Sequence, residues 1–204
     1  MTTALKELSE KIYGYLEFQN IYPSAENDEL IEKCLEELCS LDSFKCIYVK
    51  FSDPVGFLQK EPYISFLSGS IGYYLCAMTL GQDVDERNEN YYKTNNEKAK
   101  IFDACANAYL EFKAEEYEKS LEKDISYKFS PGYQGSDIKD LKAIFDILDL
   151  GKIGMYLTEE FRIVPQKSMV GIIAIGKTAK KQCGKCIMLN SCIFRKAGKR
   201  CFDL

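Results

Sequence analysis

There is no histidine anywhere in the 204 residues of this chain. Imidazole is the commonest general base and nitrogen ligand near neutral pH, so its absence excludes a Ser/His triad, a Cys/His nucleophile pair and every His-ligated metal site. Any metal held here is held by sulfur. Long apolar runs are missing too: the richest stretches, around Ile64–Leu80 and Met169–Ile175, contain glycine or serine or are too short to span a bilayer, and no basic leader with an apolar core opens the sequence. A cytoplasmic protein without a membrane partner is predicted. Acidic side chains are absent from one region only. Residues 161–202 contain ten basic and no acidic groups against 17 basic and 30 acidic in residues 1–160, so the net charge of −4 hides a cationic tail on an acidic body. With no internal repeat and no low-complexity linker, one domain over 1–176 is expected, followed by the basic tail 177–204.

What the tail does contain is cysteine. Cys183, Cys186, Cys192 and Cys201 follow a C-x2-C-x5-C-x8-C spacing in which the first step turns two thiolates toward one ion. Four soft ligands suit tetrahedral zinc or an iron–sulfur cluster, and an anionic thiolate site is stabilised by the lysines and arginines around it. Core packing and disulfide pairing are the competing readings. The glycines, lysines and Asn190-Ser191 between the cysteines make the tail too polar for a core. The other five, Cys34, Cys39, Cys46, Cys76 and Cys105, fall on apolar periods as buried thiols do, and the odd total of nine favours a reducing compartment. Nucleic acid is a poorer partner for the basic patch, because the body is acidic and carries no base-reading motif.

Apolar periodicity places helices over Leu5–Leu16, over Leu30–Leu38 with Asn27 or Asp28 as cap, and from Asn96 to about Glu122. The last has a stripe of Ile101, Phe102, Cys105, Ala108, Tyr109 and Phe112, which Glu111 flanks in a position to face inward. Ser68–Leu80, small and almost uniformly apolar, reads as a buried helix stopped by Gly81. Phe44–Phe51 reads as a strand, and Ile153–Leu157, Phe161–Val164 and Met169–Ile175 as a short antiparallel meander. Phe129–Gly135, with one proline and two glycines, reads as a loop where backbone approaches a ligand closely, and Asp137 caps the helix after it.

Ser130-Pro131-Gly132-Tyr133, the helix Ile144–Asp149, Lys152-Ile153-Gly154, Leu157-Thr158-Glu159 and Val164-Pro165-Gln166-Lys167-Ser168 with Gly171, in this order, resemble the activation domain of vitamin B12-dependent methionine synthase, in its short free-standing form, over about 70–176. The resemblance implies an α+β fold, a twisted antiparallel sheet flanked by helices, that binds S-adenosylmethionine. It implies a reactivation role in which cob(II)alamin on a cobalamin-dependent methionine synthase or another corrinoid protein is methylated again, with an electron from a flavodoxin- or ferredoxin-type donor. By the same resemblance Ser130, Gly132 and Tyr133 carry cofactor contacts, and Glu111 closes the Asp103–Glu111 segment facing the ligand. The family has arginine, gripping the methionine carboxylate, where this chain has Lys128. Lysine neutralises a carboxylate but makes no planar two-pronged pair, so a non-catalytic metal-binding adaptor that has lost the ligand is the alternative.

Overall fold

The spacing of Leu8, Ile12 and Leu16, and of Ile31, Leu35 and Leu38, puts each set on one buried helical face. These are α1, Thr3–Leu16, and α2, Ala25–Leu41. The computed structural model of the chain describes residues 3–41, 43–178, 183–185, 189–190, 192–196, 198 and 200, the side chains of 3–7, 185 and 193 excepted. The cap of α2 is Ser24, not Asn27 or Asp28: its hydroxyl accepts the Asn27 amide at 3.1 Å, as a residue preceding the first turn can. There follow β1 (Lys45–Phe51), α3 (Tyr63–Leu67), β2 (Gly72–Thr79), α4 (Gln82–Thr94), α5 (Asn96–Glu118), α6 (Leu141–Leu148), β3 (Tyr156–Leu157), β4 (Ile163–Val164), β5 (Ser168–Ile175) and α7 (Ile193–Lys196).

The segment expected as a buried helix is β2, the middle strand of an antiparallel sheet ordered β1-β2-β5. Every residue of β2 is buried because both sheet faces are covered, which erases the polar alternation that marks a strand. Tyr74, Cys76 and Met78 point into a core shared with α1, α2, α4 and α5, and Tyr73, Leu75 and Ala77 into a second core shared with α6 and the α3 region. β5 continues both sets, Ile173 and Ile175 on the first face and Val170, Ile172 and Ala174 on the second.

The meander also needs correction. β5 pairs with β2, Gly72 opposite Ile175 and Thr79 opposite Ser168, while β4 pairs with β3 in a separate two-residue ribbon. The six apolar side chains of this eight-residue strand gain two buried faces beside β2, which a two-residue neighbour does not offer. The other edge of β5 is covered by residues 124–129: Phe129 and Ile172 exchange amide hydrogen bonds of 2.8 Å, and Ser126 donates its amide to Ala174 at 2.9 Å. That pairing sets Lys128 and the loop after it against the sheet. α4 escaped the sequence reading because only Val84, Asp85 and Asn88 of its residues are buried, too few to mark a period.

Candidate functional site

Asp103, Asn107, Glu111, Glu115 and Glu118 recur every three or four residues, so they form one polar stripe along α5. Each carboxylate in it takes a lysine from another element. Lys167, from the turn before β5, reaches Asp103 at 2.7 Å and Asn107 at 2.8 Å. Lys11 on α1 spans Glu111 at 3.3 Å and Glu115 at 2.9 Å. Burial disfavours the Lys11 charge, yet the hydrogen bonds and charges of Glu115 and Glu111 outweigh it and raise its pKa. Lys128 meets Glu118 at 2.7 Å, and the Tyr48 hydroxyl donates to the same Glu118 oxygen at 2.9 Å.

Glu111 faces inward, into a cavity of about 530 Å³ between α1, α5, the edge of β5 and the loop after Phe129. Tyr15 fixes it by donating to Oε1 at 2.8 Å. Lys128, Ser130 and Tyr133 line the same cavity, with Tyr127, Phe129 and Phe161 as further aromatic wall. Ser130 is tied to β5, its hydroxyl donating to the Val170 carbonyl at 2.8 Å. Gly132 is not among the described lining residues, although its neighbours Pro131 and Tyr133 are. Its part is conformational: φ is +87°, and a Cβ there would stand 2.7 Å from Cδ1 of Ile138, itself part of the wall. Gly171 has a similar reason, since a Cβ on it would lie 2.5 Å from Cγ of Lys128, whose stem crosses the strand at that point.

Described residues of the tail also line the cavity. Cys183, Cys192, Phe194, Arg195 and Arg200 line it, and the Phe194 ring packs edge-on against Phe18 with centroids 4.4 Å apart. Cys183 and Cys192 are half-buried free thiols on one cavity wall, while Cys186 and Cys201 lie outside the described residues. Among the described residues no group of three or more cysteine, aspartate or glutamate side chains stands where it would hold a metal. Of the body thiols Cys34, Cys76 and Cys105 are buried and Cys46 half-buried; Cys39 is exposed, because it lies just off the Cys34–Leu38 stripe of α2. Burial pushes the Cys76 thiol up to about 12, which makes it a packing residue and no nucleophile.

No protein-family model matches the sequence, and neither does any curated protein. Among solved structures, the crystal structure of the MetH reactivation domain bound to AdoHcy aligns with 98% of this chain and 85% of its own, at a TM-score of 0.60 and 14% identity. The fold is that of the MetH reactivation domain. The expectation of helices around an antiparallel sheet therefore holds. Among the described residues no helix is long and apolar enough to cross a membrane.

Sequence reasoning named Glu111, Lys128, Ser130 and Tyr133, which the fold brings to one cavity, and missed Tyr15, Tyr127, Phe161 and the tail arginines beside them. Tyr15 lies 96 positions from Glu111 in sequence, so no local pattern links the two. The interval of four that joins Asp103, Asn107 and Glu111 was a usable signal for the polar stripe.

Proposed function

We propose that this chain is a reactivation protein that binds S-adenosylmethionine and supports reductive methylation of cob(II)alamin on a cobalamin-dependent methionine synthase or a related corrinoid protein. The observation that carries this reading is the cavity. It unites a carboxylate, Glu111, with aromatic rings and a backbone-pinned serine in a fold shared with a domain that was crystallised with AdoHcy, the demethylated form of the proposed methyl donor. Its volume falls within the roughly 300–1,000 Å³ of small-molecule sites. Glu111 suits an ammonium or sulfonium cation, and Tyr127 and Tyr133 offer ring surface for a purine.

In the reaction one electron from a flavodoxin- or ferredoxin-type donor and the methyl group of the sulfonium convert cob(II) to methylcobalamin and release AdoHcy. The protein's contribution is to hold the sulfonium against the corrinoid of its partner, which makes methyl transfer effectively unimolecular. In this reading Cys183, Cys186, Cys192 and Cys201 are the residues that would hold an iron–sulfur cluster or zinc; a cluster would supply one-electron chemistry there and zinc a structural clip. The test combines the protein, a cob(II)alamin-loaded methionine synthase lacking its activation domain, a reduced donor and methyl-labelled S-adenosylmethionine. Label is expected on cobalt only when the chain is present; unlabelled cobalt in the complete mixture contradicts the proposal.

One observation favours the second reading, a metal-binding adaptor without the ligand: Lys128, at the family's carboxylate-gripping position, is committed to Glu118, with side chains 14% and 17% exposed. Under that reading S-adenosylmethionine does not bind, while metal content is unchanged.

A further inference from the structure

The described cavity wall carries one carboxylate, Glu111, and three cations, Lys128, Arg195 and Arg200. An amino-acid ligand brings one charge of each sign, so the wall must answer a carboxylate as well as an ammonium. Lys128 is poorly placed to do so. Its ammonium already lies 2.7 Å from Glu118, a half-buried contact whose exchange for a ligand carboxylate would leave the Glu118 charge without its ion pair. Arg195 is different. It is exposed on α7, its own segment, residues 161–202, contains no acidic residue, and among the described residues it forms no ion pair. The Phe194–Phe18 contact fixes the helix turn that presents it.

From this charge inventory we infer that Arg195 of the tail, and not Lys128, is the residue that recognises the carboxylate of an amino-acid-bearing nucleoside in the cavity, by the two-pronged hydrogen bonding that a guanidinium makes and an ammonium does not. Arg195 is then part of the ligand site, and losing its guanidinium costs carboxylate recognition. The inference rests on the function proposed above.

Two probes separate it from that function: AdoHcy, which has the amino-acid moiety, and 5′-methylthioadenosine, which does not. Both are titrated by calorimetry into wild type, Arg195→Ala, Arg195→Lys and Arg200→Ala. Arg195→Ala is expected to weaken AdoHcy roughly tenfold or more while 5′-methylthioadenosine changes by less than about twofold, with Arg195→Lys between wild type and alanine. An equal loss for both probes, no loss for either, or a selective loss confined to Arg200→Ala overturns the assignment and leaves the proposed function standing. Wild type that binds neither probe overturns both.

Discussion

Lys128 and Gly132 show how differently two residues of one motif contribute. Lys128→Met leaves the half-buried Glu118 carboxylate without its ion pair, the Tyr48 hydroxyl remaining, so unfolding in urea is expected to show a loss of about 3 kcal/mol, while AdoHcy affinity falls by less than about threefold. Gly132→Ala has the opposite profile. Its Cβ enters a left-handed backbone and meets Ile138, which costs about 1 kcal/mol or more locally and deforms the cavity wall, so binding is expected to drop at least about tenfold in calorimetry with the fold retained by circular dichroism. Glu122 gives the pH response. Hydrogen bonds from Lys50 and then Tyr74 hold its carboxyl down, from 4.5 to about 2. Depressed in the fold, it contributes stability that is present above pH 4.5 and lost as pH falls toward 2. Tyr74, raised to about 12 by burial and by Glu122, contributes stability that is whole below its ordinary 10 and lost as pH rises through 12. Unfolding midpoints of Glu122→Gln against pH should show a shallower acid slope than wild type, and those of Tyr74→Phe a shallower alkaline one.

At the scale of elements, the turn before β5 is held from the helix layer. Asp85 of α4 accepts the backbone amides of Gln166 and Lys167, and the Lys167 ammonium is captured by Asp103 and Asn107 of α5. Lys167→Met leaves Asp103 without its ion pair and should cost about 3 kcal/mol in urea unfolding, with loosened amide exchange over Ser168–Val170, the cavity-lining start of β5. Which elements were legible in the sequence follows from the same packing. α5 and α6 pack on opposite sides of the sheet and α1 and α2 pack on α5, each by one face, so their apolar stripes survive as a period that can be read. β2 is buried on two faces and shows no alternation, and its glycine, alanine and cysteine imitate a tight helix; only the pairing with β1 and β5 distinguishes it. α4 has the converse problem, since it buries polar groups and its identity comes from contacts with α5. The loop residues Ser130 to Tyr133 were readable because their backbone demands are local, whereas Tyr15 and Arg195 reach the cavity from opposite ends of the chain.

For the molecule as a whole, described residues of the basic, thiol-bearing tail and residues of the acidic body line one cavity. Because Cys183 and Cys192 are among the residues that line that cavity, the proposed metal on the tail and the proposed ligand in the cavity would act on the same surface, and their binding should be linked reciprocally. Anaerobically purified protein is expected to contain iron or zinc, and Cys183→Ser with Cys192→Ser to lose it and to weaken AdoHcy by roughly the factor that Arg195→Ala does; metal-free wild-type protein with unaltered affinity contradicts that linkage. The central claim is simpler and is reached by one titration. S-adenosylmethionine added to the full-length, anaerobically purified chain in a calorimeter should bind saturably at a single site per chain and be displaced by AdoHcy. An absence of binding heat and of competition at millimolar ligand would contradict the account.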